Sequence, residues 1–276
     1  MGFAKGGSGP KYYQEISLSL DWDNNGAALK QRAKEYGGAA SRFIASEDKY
    51  FLSGLTYPRV GKTLSLRILP KGCIFAEKGI SIFPLNDREA NSSNLLALLA
   101  ILNSKPVEYM VSITSPGRFW ESGSINRIPL PHNWNSHNLH ELAYKGYVLS
   151  RAAFEADETS RVFISPLIEI KQGEIEELQL EIDNIVTKIY QLHDDIQLGK
   201  SSDSQEMELE DNEVDAIYPE IKHIDYLQYA LGVVAGRWDI RIGKNPVIAR
   251  NSTDPFEKLP PLSPGSLLSD TSNYPI

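Results

Sequence analysis

One cysteine, Cys73, stands in a chain of 276 residues. A lone thiol cannot build an internal disulfide framework or supply a thiolate zinc cluster, and it is expected to serve as a small buried hydrophobe. No run approaches the roughly 18 consecutive apolar residues of a membrane span, and the start has no basic segment leading into an apolar signal core. A myristoylation signal fails as well, because Gly6 stands where Ser or Thr is needed. Together these absences predict a cytoplasmic protein with no membrane partner. Hydrophobic residues at 41% and charged residues at 23% match an ordinary globular chain, long enough for one large or two smaller domains.

Catalytic signatures are missing too. Gly61-Lys62-Thr63 ends like a phosphate-binding loop, but that motif needs a glycine five residues before Gly61, where Thr56 stands. Methylation of a flipped base's amine needs Asn or Asp followed by Pro-Pro and an aromatic ring; Pro260-Pro261 lies between Leu259 and Leu262, and Asn245-Pro246 continues with Val247. The segment Phe3-Ala4-Lys5-Gly6-Gly7 only loosely echoes a methionine-cofactor loop, which belongs between a strand and a helix. Glu169-Ile170-Lys171 and Glu220-Ile221-Lys222 match the short element of metal-dependent nucleases, a pattern that any acidic helix edge produces. The five histidines form no ligand spacing. No catalytic, cofactor or metal residue is therefore assigned in this chain.

A net charge of -8 opposes nucleic-acid binding when taken whole, because phosphate neutralisation supplies most of that affinity. Its distribution is uneven. Residues 1–130 carry 16 Lys and Arg against 11 Asp and Glu, and the rest carry 12 against 25. One half can face phosphate while the other is repelled by it.

Along the chain, residues 2–10 read as a glycine-rich loop, and residues 12–22 alternate Ile16, Leu18, Leu20 and Trp22 in the two-residue period of a half-buried strand. Residues 27–36 form a short helical pattern stopped by Gly37-Gly38. Strand-like runs follow at 50–52, 64–69, 74–75 and 80–83, punctuated by Gly54, Pro58, Gly61, Gly72 and Gly79. Six basic residues lie within 49–78 against Glu77 alone. A buried helix is expected over 94–102 after Ser92 or Ser93 as cap, a second over 107–113, and a third over 137–158. Residues 118–131 lack helical period and read as an edge strand or extended exit.

The plainest periodicity joins Ile175, Leu178, Ile182, Ile185, Ile189, Leu192 and Ile196, alternately three and four apart. An intramolecular brace, a dimeric coil and an amphipathic core helix all fit it. Residues 199–214 are acidic, polar and free of aromatics, as a disordered loop is. A last helix is expected over 223–241, with Ile224, Leu227, Leu231 and Val234 on one side, before a proline-rich run over 255–264.

Four segments in order, KYFLSGLTYPRVGKTLSLRIL from Lys49, PKGCIFAEKGISIFP, LLALLAILNSKPVEYM and RFWESGSINRIPLP, resemble the target-recognition region of type IIG restriction-modification methyltransferases and of related phage-exclusion adenine methylases. The runs at 181–186 and 229–241 resemble segments that follow in the same proteins. The resemblance implies double-stranded DNA as partner, together with a methyltransferase domain or subunit that binds S-adenosylmethionine outside this chain, so that the chain is expected to be a fragment or split subunit. It also implies reading loops over 56–67 and 115–127, with Arg59, Lys62, Arg67, Arg118 and Arg127 as DNA contacts, Lys71 on phosphate, and Trp120 as a packing or wedge residue. Arginine suits this role because its fork bonds guanine bidentately in the major groove, while other cations fix register on phosphates.

The resulting expectation is an α+β protein. It has a connector over 1–48, a β-rich recognition lobe over 49–133, a heptad-patterned helical spacer over 134–198, an acidic linker over 199–217, and a helical segment with proline-rich tail over 218–276. The alternatives are a subunit that docks on a separate methyltransferase chain and, less favoured by the residues, a nuclease using Glu169 and Lys171.

Overall fold

The computed structural model describes residues 1–7, 9–37, 39, 44–85, 91–115, 119–135, 137–192, 226–246 and 254–268. The first strand lies where a loop was expected: β1 (Gly2–Ala4) runs parallel to β4 (Cys73–Phe75), pairing Gly2 with Cys73 and Ala4 with Phe75. The expected strand over 12–22 does not form. Only Tyr12, bridged to Arg67, and Ser19, bridged to Gly2, make ladder contacts there. The alternation is used only in part, since Leu18 is exposed, and its buried residues go to three separate clusters: Tyr12 enters the main core, Ile16 meets Leu69 and Cys73, and Trp22 meets Tyr50 and Ile74. The helix that follows, α1 (Asp23–Glu35), begins with left-handed backbone at Asn24, Asn25 and Gly26.

A three-stranded antiparallel sheet forms the centre of the β region, in the order β3 (Arg67–Leu69), β2 (Gly54–Pro58), β5 (Gly79–Ile82). The expected strand at 50–52 is instead a turn, and the central strand spans Gly54 and Pro58, which the sequence pattern marks as punctuation. Gly54 is suited to its place because a Cβ there would collide with the Ile82 carbonyl. Pro58 costs little because it closes the strand, opposite Gly79.

The helices complete an α+β fold. They are α2 (Ser92–Leu102), α3 (Lys105–Thr114), α4 (Ser122–Ile125), α5 (Leu139–Glu155), α6 (Gln172–Ile189), α7 (Tyr226–Val234) and α8 (Ile240–Lys244). Asn91, not Ser92 or Ser93, caps α2, its side chain accepting from Ser93 N at 2.9 Å. Pro106 sits in the first turn of α3, where its missing N–H has no helical partner to lose. No single described helix is long and apolar enough to cross a membrane; α2 and α3 reach the length only as a pair bent by 66°, and Leu95, Leu99, Ile101, Val107 and Val111 on them belong to the core.

One apolar cluster crosses the expected boundaries, joining Tyr12, Leu55 and Tyr57, the α2 leucines, Leu139 and Leu142 of α5, Leu178, Ile182 and Val186 of α6, and Phe256. The heptad seam is thus an intramolecular brace: Ile175, Ile185 and Ile189 flank its buried centre, while Leu192 lies beyond the helix and Ile196 lies outside the described residues. Polar side chains lock this brace. Asn103, fully buried, accepts from Leu66 N at 2.8 Å and donates to Leu66 O at 3.0 Å, replacing a missing strand neighbour. Asp183 on α6 accepts from Lys105 N at 2.9 Å, closing the open first turn of α3, and from Gln179 Nε2 at 2.9 Å. Lys11, lowered from its usual pKa by burial, donates to Asn103 O at 2.6 Å.

Candidate nucleic-acid interface

The two expected reading loops meet through their backbones. Val60 and Phe119 form an antiparallel bridge, Trp120 N donates to Arg59 O at 2.8 Å, and Trp120 Nε1 donates to Gly61 O at 3.1 Å. Ser115 Oγ closes the second loop on Phe119 O at 2.6 Å. Trp120 is buried, so its ring packs and does not project as a wedge in this conformation. Arg59 leaves the end of β2 beside this junction, its own N–H bonded to Lys78 O.

The guanidinium of Arg59 is held between two carboxylates. Its Nε and Nη2 donate to Glu121 Oε1 at 3.1 and 3.0 Å, and its Nη1 donates to Glu77 Oε1 at 2.8 Å. Glu121 first, and then Glu77, keep its pKa above the usual arginine value. All three side chains are solvent-accessible, and exposed pairs of this kind contribute little and exchange readily. Neither glutamate was singled out in the sequence, although Glu77 is the lone acid within 49–78 and Glu121 follows Trp120 directly.

Lys62 and Arg127 are exposed, Lys62 just past the Val60 bridge and Arg127 after α4. Arg118 lies outside the described residues. The other two expected contacts stand elsewhere. Lys71 follows β3 at the Gly54 end of the sheet, on the order of 16 Å from Arg59 along a five-residue strand; there it donates to Glu257 at 3.1 Å. Arg67 is 5% exposed, points its Nη2 at Gly7 O, 2.6 Å away, and is lowered in pKa to about 10 by burial alone. Its place in the ladder, between Thr56 and Tyr12, turns it inward, so it is not on the loop surface.

The segment over 169–171 has no nuclease geometry: Lys171 pairs with Glu174 at 2.9 Å at the start of α6. Its counterpart over 220–222 and the acidic linker lie outside the described residues. Among the described residues no group of three His, Cys, Asp or Glu side chains is set to hold a metal.

No family model matches the chain. Over 189 residues, or 68% of its length, it is 27% identical to the adenine-specific methyltransferase BrxX of Escherichia coli O9:H4 (strain HS), covering 14% of that protein. Over 167 residues, or 60% of its length, it is 26% identical to the adenine-specific methyltransferase PglX of Lacticaseibacillus casei (strain Zhang), covering 13% of it. The chain is thus related in sequence to adenine-specific methyltransferases and spans about a seventh of the length of these curated relatives.

Proposed function

We propose that this chain is the sequence-reading module of an adenine-N6 DNA methyltransferase of the restriction-modification or phage-defence type, acting on double-stranded DNA beside a methyl-transferring domain that lies outside it. The observation that supports this most is the joining of residues 59–62 and 119–127 into one loop pair bearing Arg59, Lys62 and Arg127. Glu77 and Glu121 then act as place-holders. They keep the Arg59 fork oriented until a guanine edge or phosphate replaces a carboxylate. S-adenosylmethionine binding and methyl transfer belong, in this reading, to the larger remainder of such enzymes.

The test is duplex binding by the isolated chain across a salt series. Affinity should fall steeply with salt, and Arg59→Ala should lose roughly tenfold on the preferred sequence while relaxing choice at one base pair. Equal loss on every sequence would make Arg59 a phosphate contact, and salt-insensitive or absent binding would overturn the reading.

A second reading, a subunit that docks on a separate methyltransferase chain, is favoured by one observation. Tyr226, Leu227, Leu231 and Val234 of α7 are exposed large hydrophobics on a nine-residue helix. Co-purification with a methyltransferase polypeptide, lost in a Leu227→Ser/Leu231→Ser variant, would support it, and a monomer that binds DNA unaided would count against it.

A further inference from the structure

Arg67 and the glycines Gly6, Gly7 and Gly9 form a small built site beside the Lys78 carbonyl, to which Arg59 N also donates. The backbone makes it in three steps. Gly6, at φ +89, crosses Lys78 so closely that a Cβ would overlap the Lys78 carbonyl, which only glycine permits. Gly7, at φ +109, then turns its carbonyl onto Arg67 Nη2. Gly9 passes over the guanidinium, where a Cβ would collide with Gln14 Oε1 and stand 3.1 Å from Arg67 Cζ. The result is a cavity of about 100 Å³ lined by residues including Lys5, Gly6, Gln14, Thr56 and Arg67. It exceeds the roughly 30 Å³ share of one water, and the exposed Lys5, Ser17 and Leu18 stand at its rim.

Beside this cavity two sealed polar atoms lack hydrogen-bond partners among the described residues: the Arg67 Nε donor and Gln14 Oε1. Among the described residues no carboxylate pairs with the Arg67 guanidinium, and burial alone depresses its pKa. Glu15, which shares the cavity wall, spends Oε1 on Ser160 Oγ and Arg161 N. A buried cation normally has a counter-charge, because desolvation without one is costly. Water can satisfy Nε but cannot supply that charge. Gln14 adapts to either sign: with its amide turned over, it offers N–H in place of C=O.

We infer that Arg67 and Gln14, beside the close turn at Gly6, form an oxyanion site that takes a phosphate group, with Lys5 at its mouth. The Arg67 guanidinium and the turned Gln14 amide donate to the phosphate oxygens, and Lys5 adds a second positive charge at the entrance. The phosphate is either free or part of a polynucleotide backbone, and the same cation serves both. The site does not depend on the loop pair reading DNA.

The experiment is titration of the full chain with inorganic phosphate against chloride at matched ionic strength, followed by calorimetry and by thermal melting. Saturable binding is expected, with Arg67→Met weakening it at least tenfold. Gln14→Glu sets a carboxylate beside the guanidinium: it should raise the melting temperature in phosphate-free buffer and abolish the phosphate-induced rise. That variant keeps the inference testable if Arg67→Met does not fold. Phosphate binding equal in the wild type and Gln14→Glu, or no binding beyond the chloride control, would overturn the site. A duplex-binding salt slope reduced by about one in Arg67→Met assigns the site to a backbone phosphate. An unchanged slope with phosphate binding retained in the wild type assigns it to a free phosphate. Failure of duplex binding alone, with phosphate binding intact, would fall on the DNA reading and not on this site.

Discussion

In α6, Leu178, Ile182 and Val186 are almost wholly covered by α2, α3 and α5, whereas in α7, Leu227, Leu231 and Val234 remain 61–86% exposed. Both helices carry apolar residues three and four apart, so periodicity names a face without saying what covers it. The difference lies in what accompanies the face. Along α6, Gln179 and Asp183 bond the turn between α2 and α3 and leave the helix one way to lie. Its counterpart α7 is tied by Tyr229 and Val233, packed with Phe163 and Trp238, while Leu227, Leu231 and Val234 stay exposed.

The largest effect should come from breaking the covered face. Ile182→Ala is expected to cost about 2–5 kcal/mol in denaturant unfolding, the usual range for emptying a fully buried aliphatic site. Next comes the lock: Asp183→Ala strips the partner from Lys105 N and should cost about 1–3 kcal/mol by the same measurement.

On the α7 side, Asp239 caps α8 through Arg241 N and pairs with the Arg241 guanidinium. The Arg241 side chain first, then its backbone, hold this carboxyl below its usual 3.8. Its contribution is therefore fully present above that value and is lost as pH falls through the lowered pKa. Asp239→Ala should cost about 0.5–2 kcal/mol at neutral pH and flatten that acid loss, as followed by Trp fluorescence across an acid titration. The smallest effect sharpens the contrast: Leu231→Ser should stay within about 0.5 kcal/mol of the parent in the isolated chain. A loss as large as that of Ile182→Ala would mean that α7 is covered after all.

Much of the helical architecture was legible in the sequence, because α2, α5 and α6 announce themselves by apolar spacing that their packing then uses. The strands were harder to read. Gly54 and Pro58 look like punctuation until the Ile82 carbonyl above the one and the sheet end at the other explain them. Residues 12–22 alternate in sequence, yet Tyr12, Ile16 and Trp22 go to the main core and two smaller clusters without a ladder, and Leu18 stays exposed. Of the candidate contacts, the meeting of residues 59–61 with 119–120 could not be seen in a linear chain, although both segments had been singled out. The inward place of Arg67 was not legible: a charged residue between Leu66 and Ile68 gives no sign of which side it faces, and only its pairing with Thr56 and Tyr12 turns it inward. Asn103 gave no signal either, since its role is to imitate a strand edge.

The junction between the loops is made chiefly by main-chain atoms: Val60 bridges Phe119, Trp120 N donates to Arg59 O and Trp120 Nε1 donates to Gly61 O, and the exposed Arg59–Glu121 pair is added to these. The main-chain bonds need no particular side chain at 59 or 62. New residues can be tried at those places without renegotiating the scaffold beneath, which is the freedom a surface needs when its vocabulary has to drift faster than its grammar.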